Sequence, residues 1–168
     1  GWLLASLLGI VLGAIIGVSE TARAYVEPTL EFLRPLPASA MMPVAIVLLG
    51  LSDSMVLAVI AFGALWPMLL ATVHVFAAVE PRLYQVSRAL GLSHGSVIWK
   101  IALPSAMPDI LAGMRLGLTI ALILAVVGEM LASRPGLGQA ILLAARAFQS
   151  ADLYAGVILL GMVGYVSG

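Results

Sequence analysis

The stretch from Met55 to Val79 carries no Asp, Glu, Lys or Arg, and the stretch from Ile110 to Leu131 carries only Arg115 and Glu129. Runs of this length suit a bilayer, whose hydrocarbon core takes about 17–25 helical residues to cross. No water reaches that core, so a single segment satisfies its backbone N–H and C=O groups only by becoming helical. Shorter apolar runs occur at Trp2 to Val18, at about Ala38 to Leu51 and from Leu153 to the end. The expected fold is therefore all-α: a polytopic transmembrane helical protein with about five spans in a single transmembrane domain over residues 1–168. The first and fifth runs read as cut short, and the chain as truncated at both ends. The first run lacks the basic leader and small-residue cleavage pattern of a signal peptide and is expected to span. Around the second run stand Pro35, Pro37 and Pro43, so its helix is expected to be irregular or to borrow residues upstream.

Composition excludes a soluble domain. Hydrophobic residues make up 62% of the chain and charged residues 10%, with a mean hydropathy of +1.16, whereas soluble domains are nearer a quarter charged. The net charge is zero, which leaves no footprint for nucleic acid. The absence of Cys removes disulfides, thiolate metal sites and thiol nucleophiles. Membrane lipid is the expected surrounding.

Basic residues orient the chain, because acids contribute little to the positive-inside bias. Arg23, Arg34, Arg82, Arg88, Lys100 and Arg115 fall on or near one side, and Arg134 and Arg146 on the other. The first side, holding Ser19 to Pro37 and Glu80 to Asp109, is expected to be cytoplasmic. Gly9, Gly13 and Gly17 repeat every four residues, as do Gly113 and Gly117. Such spacing clears one helical face and lets backbones approach, so helix packing is the expected use.

Residues 80–108 interrupt the apolar pattern with charge and proline. Pro81 suits the first turn of a helix over Arg82 to Leu90, and Gly91 the left-handed stop after it. Ser93 is placed to cap a second short helix that Pro104 is expected to end. Leu83, Val86 and Leu90 share one face of the first helix, and Val97, Ile98, Ile101 and Ala102 line the second. Two amphipathic helices at a glycine elbow make a docking surface.

Counted from Gln85, Gly91 stands six residues on, and Ile101, Leu103 and Pro104 at sixteen, eighteen and nineteen. This spacing resembles the EAA loop of binding-protein-dependent ABC import permeases, in which Glu-Ala-Ala is followed by Gly, Ile, Leu and Pro at those places. The opening triplet departs from the pattern as Gln85-Val86-Ser87, losing the acidic side chain. Three further segments resemble the nitrate, sulfonate and taurine branch of that family: Phe32 to Pro37, Leu49 to Asp53, and Gly128 to Leu131 leading to Gly136-Leu137-Gly138.

The resemblance implies a type I permease fold in the bacterial cytoplasmic (inner) membrane. It implies cytoplasmic ATP-binding subunits as partners, a second permease subunit making a homodimer, and an extracytoplasmic substrate-binding protein. Coupling to the ATPase would rest on Gln85, Val86, Ser87, Arg88, Gly91, Ser93, Ile101, Leu103 and Pro104. A small anion such as a sulfonate, taurine, nitrate or bicarbonate is the expected cargo, with a pyrimidine vitamin precursor as the alternative. No catalytic residue, cofactor or metal is called for, and no GxxxxGK[ST] motif occurs.

Competing chemistry is weaker. Ser93-His94-Gly95-Ser96 pairs serine with histidine, but neighbouring side chains on a turn point apart, and a nucleophile and its base must meet. A secondary transporter would need inverted repeats with polar breaks at matched depths, and none is visible. Glu20, Arg23, Glu27, Glu31 and Arg34 have the spacing of a solvated helix face. Phe62, Trp66 and Met68 are expected to pack between helices, with Pro67 marking a kink.

Arg115 and Glu129 are ionisable groups inside a span, the usual mark of function, and both are candidates for a gating or a structural role. Arg115 is expected near the inner end of its span, snorkelling to the interface or pairing with Asp109. Glu129 is expected near the outer end, bonded to the following loop. His74 is expected at the inner end of the third span.

Overall fold

The computed structural model describes residues 1–33, 35–78, 94–97, 100 and 103–167. Among these, every regular element is helical: α1 (Trp2–Val18), α2 (Glu20–Leu33), a 3-10 turn (Ala38–Met41), α3 (Met42–Leu49), α4 (Asp53–Ala78), α5 (His94–Val97), α6 (Leu103–Ala132), α7 (Leu137–Arg146) and α8 (Ser150–Ser167). By length and composition α4, α6 and α8 can each cross a membrane, and α2 with the 3-10 turn and α3 passes as one bent pair. With α1 lying along α4, this is consistent with about five spans.

Helix α4 is the centre of the bundle. On one side α1 runs parallel to it: Gly9 faces Leu65 and Met68, Gly13 faces Leu69 and Thr72, and Gly17 faces Val73 and Phe76. On the other side α6 runs antiparallel, with Gly113 against Pro67 and Ala71, Gly117 against Ala64 and Met68, and Gly128 against Val56. The glycine stripes thus pack as their spacing predicts. Met68 sits between the two stripes with no exposed surface. Thr72, equally buried, returns its hydroxyl to the Met68 carbonyl at 2.7 Å, which satisfies a polar group that has no water.

These packings fix the sides. Because α1 and α4 are parallel and α6 is antiparallel, Ser19, Ala78 and Leu103 share one end of the bundle, and Asp53 shares the other with Ala132. That is the arrangement expected from the basic residues. Near the first end Phe76, Ala106 and Ile110 form a buried cluster; toward the second, Met42, Met55, Val59, Ile60 and Leu124 form another.

Local chemistry sets the helix boundaries. Ser19 Oγ accepts the Ala22 N–H at 3.2 Å at the start of α2. Pro43 falls in the first turn of α3, where its missing N–H is harmless, so the expected irregularity lies ahead of it, in the 3-10 turn and in the 82° bend between α2 and the Ala38–Leu49 segment. Gly50 ends α3 at φ 69, a conformation glycine takes freely. Ser52 then caps α4 by accepting the Met55 N–H at 3.3 Å, and Asp53 stands in the first turn, favourable to the helix dipole. Pro67 lies inside α4 without ending it.

Three boundaries differ from the sequence expectation. Helix α6 begins at Leu103, seven residues before the apolar run, so Pro104 lies in its first turn. Helix α7 occupies a stretch for which no element was expected; Gly138, Ile141 and Ala144 are its buried stripe. Helix α8 starts at Ser150 and has no buried residue.

A Cβ at Gly13 would lie 2.6 Å from Thr72 Cβ and 2.8 Å from the Leu69 carbonyl oxygen, whereas one at Gly161 meets nothing within 4 Å. Gly13→Leu is expected to destabilise the purified protein by about 1–3 kcal/mol or more, the usual cost of overpacking. Gly161→Leu is expected to leave it unchanged. Thermal unfolding in detergent checks the difference, and equal midpoints would contradict the packing.

Candidate functional site

Of the coupling residues, Gln85, Val86, Ser87, Arg88, Gly91, Ser93 and Ile101 lie outside the described residues. Leu103 and Pro104 are described and open α6 at the inner end of the bundle. Ahead of them in the chain, α5 buries Val97 almost completely, while Lys100 is exposed.

Several polar groups of α4 and α6 line neighbouring cavities. A cavity of about 420 Å³ is lined by Leu36, Ala38, Gly63, Trp66, Leu70 and His74, among others. A second of about 330 Å³ is lined by Pro67, Ala71, His74, Asp109, Ala112 and Leu116, among others. A third, of about 750 Å³, opens along the α6 face formed by Pro108, Leu111, Ala112, Arg115, Leu116 and Thr119. Leu116 borders all three, so the cavities are neighbours around one turn of α6. They carry His74 and Asp109 toward the end of the bundle that holds Leu103, and Trp66, Arg115 and Thr119 nearer its middle.

Arg115 lies deeper than the sequence placed it. Its neighbours Gly113 and Gly117 touch Pro67 and Ala64, which are in the middle of α4, so Arg115 stands at mid-bundle and not near the inner end. The expected pair with Asp109 is absent: among the described residues, the ion pair present joins Arg134 Nε to Asp53 Oδ1 at 3.1 Å. Six positions apart on a helix, Asp109 and Arg115 point in different directions. Of the residues expected only to pack, Met68 is buried and Phe62 meets Trp66 edge-to-face at 5.6 Å. Trp66, however, also lines a cavity, and its buried Nε1 has no hydrogen-bond acceptor.

At the end shared with Asp53, Glu129 organises the turn out of α6. Its Oε2 accepts the Gly138 N–H at 2.9 Å, in the first turn of α7, where a carboxylate both caps and complements the dipole. Gly136 and Gly138 are needed there for room: a Cβ on the first would overlap the Glu129 carboxylate, and on the second the Val126 carbonyl. Ser133 takes φ 51 and Arg134 donates to the Glu129 carbonyl at 3.0 Å, the Schellman closure of a helix end. Arg134 then reaches Asp53, tying this turn to the start of α4. Both of these side chains are substantially exposed, so that pair adds little stability.

Glu129→Ala leaves the Gly138 N–H without its acceptor and is expected to loosen the start of α7 by about 1 kcal/mol, the usual worth of such a cap. Glu129→Gln keeps an acceptor oxygen and is expected to lose less. Hydrogen exchange at the Gly138 amide orders the three proteins, and identical exchange would show that the cap does not hold the turn.

The family described as "Binding-protein-dependent transport system inner membrane component" matches residues 5–168. SsuC of Bacillus subtilis, described as an aliphatic sulfonates transport permease, is 35% identical over 98% of this chain and 59% of its own length. TauC of Escherichia coli, a taurine transport system permease protein, is 27% identical over 96% of this chain and 59% of its own. NrtB of a Synechocystis strain, a nitrate import permease protein, is 32% identical over 98% of this chain and 60% of its own. The chain thus spans about three fifths of the length of these relatives. It belongs to the binding-protein-dependent transport system inner membrane component family.

Proposed function

We propose that this chain forms the membrane passage of an ATP-driven importer for a small anion, working with a second copy of itself, cytoplasmic ATP-binding subunits and an extracytoplasmic binding protein. The observation that carries the reading is the spacing of Gly91, Ile101, Leu103 and Pro104 from Gln85, inside a chain of the transport family. Relatives described as sulfonate, taurine and nitrate permeases support the anion class. The chain itself then needs no catalytic group. ATP binding would close the partner subunits, and residues 80–108 would pass that movement to α4 and α6, the helices on either side. A ligand shifts such a two-state system only by binding its states unequally, and here nucleotide acts on the inner end and the loaded binding protein on the outer. Substrate choice would rest mainly with the binding protein.

The assembled transporter in proteoliposomes is expected to hydrolyse ATP faster when its binding protein carries taurine, nitrate or bicarbonate, and not when offered sugars, peptides or metal cations. Stimulation confined to a sugar or a peptide overturns the anion class, and uptake that proceeds without ATP overturns the importer reading in favour of a secondary transporter.

Gly91, as the elbow of the coupling segment, would need a left-handed backbone. There a Cβ costs about 1–2 kcal/mol, and a β-branched residue would misaim the second helix. Gly91→Val is expected to lower uptake and ATPase recruitment several-fold while the spans still insert. Normal uptake by this variant removes the elbow from the mechanism.

A further inference from the structure

Arg115 is a charged group within α6 that neither fold nor coupling uses. Its packing level, set by Gly113 and Gly117 against Pro67 and Ala64, puts it near the middle of the bundle. The side chain is exposed and lines the groove of about 750 Å³. An arginine facing lipid at mid-membrane costs about 2.5–3.5 kcal/mol or more, so such residues face protein interiors or water-filled cavities. Among the described residues no carboxylate neutralises it.

The rest of the wall sharpens the effect of this charge. Pro108, Leu111, Ala112 and Leu116 are apolar, and low-dielectric walls focus a field into the groove. Thr119 spends its hydroxyl proton on the Arg115 carbonyl at 3.3 Å, which leaves the guanidinium as the donor on this face. Asp109, the nearest acid along α6, stands six residues inward, about 9 Å at the helical rise.

We infer that Arg115 is the anion-selecting residue of the passage: its guanidinium holds the oxygens of a small oxyanion midway across the membrane. Two parallel N–H donors match the paired oxygens of a sulfonate, nitrate or bicarbonate. The inference rests on the small-anion importer reading, and the test separates the two.

The test uses the full transporter in proteoliposomes with its binding protein, supplied with radiolabelled taurine, nitrate and bicarbonate. Arg115→Gln is expected to insert at the wild-type level and to lower anion uptake about tenfold or more, equivalent to about 1.4 kcal/mol. Arg115→Lys, which keeps the charge without the fork, is expected to fall between. Arg115→Cys introduces a thiol into a chain that has none. With partner thiols blocked, a cationic methanethiosulfonate should restore uptake, and an anionic one of similar size should not.

Full uptake by Arg115→Gln overturns the inference. So does equal response to the two reagents, or an introduced thiol that no water-soluble reagent reaches; the last two results hold even where Arg115→Gln inserts poorly. Wild-type protein that imports none of the three anions overturns the anion reading itself, and the inference with it.

Discussion

In hydrocarbon, two apolar helices gain nothing by hiding Leu or Val from their surroundings, because lipid tails are equally apolar; contact and close fit must supply the attraction. The backbone of α4 meets that requirement on two sides. Gly9, Gly13 and Gly17 bring α1 against Leu65 to Phe76, and Gly113 and Gly117 bring α6 against Ala64 to Ala71. Met68 fills the space left between them without exposed surface. At such short range each buried side chain gains many small dispersion contacts, and a single added Cβ would collide with the backbone of the neighbouring helix. The cavities that carry His74, Asp109, Arg115 and Thr119 lie along the faces of α4 and α6 that these stripes leave free. Their shape is therefore a consequence of where the glycines are.

Much of this was legible because glycine spacing and charge-free length are direct statements about helices in lipid. The four-residue spacing of Gly9, Gly13 and Gly17 showed that one face of α1 would be used for packing, though not that the partner would be α4 and parallel. Other features were hidden by mixed signals. The apolar run of α6 starts at Ile110, but Asp109, Pro108 and Pro104 mask seven further helical residues, so Arg115 was assigned to an inner end that is farther away. Helix α7 is only ten residues long and follows a Gly-Pro-rich turn, which reads as a loop. Its signal was present all the same in Gly138, Ile141 and Ala144, spaced three apart and buried as one stripe.

The segments that resemble sulfonate and nitrate permeases have local physical reasons to look as they do. Gly50 supplies the left-handed stop and Ser52 the next cap in Leu49 to Asp53. Glu129 needs a partner N–H and room to reach it, and Gly136 and Gly138 provide both. These two motifs build the ends of α4 and α6 that Asp53 and Ala132 share. They therefore speak to fold and say nothing of cargo, which is why a chain can share them with carriers of chemically different anions.

The two ends of the bundle are built differently, and this bears on how movement would pass through it. The α1–α4–α6 unit is in close contact over most of its length, so an added displacement at the inner end carries the three helices together. Helices α7 and α8 are attached more lightly: α7 by the Glu129 cap and its buried stripe of Gly138, Ile141 and Ala144, and α8, which has no buried residue, by contacts that include Gly156 against Ile141. Packed interiors resist continuous deformation and move as units, while a hydrogen-bonded turn with one ion pair yields at low cost. On the proposed reading, a push delivered at Leu103 and Pro104 would tilt α4 and α6 as one body, and the turn around Glu129 would absorb the change. Arg115, midway along the rigid part, would then keep its setting in the groove while the two mouths change.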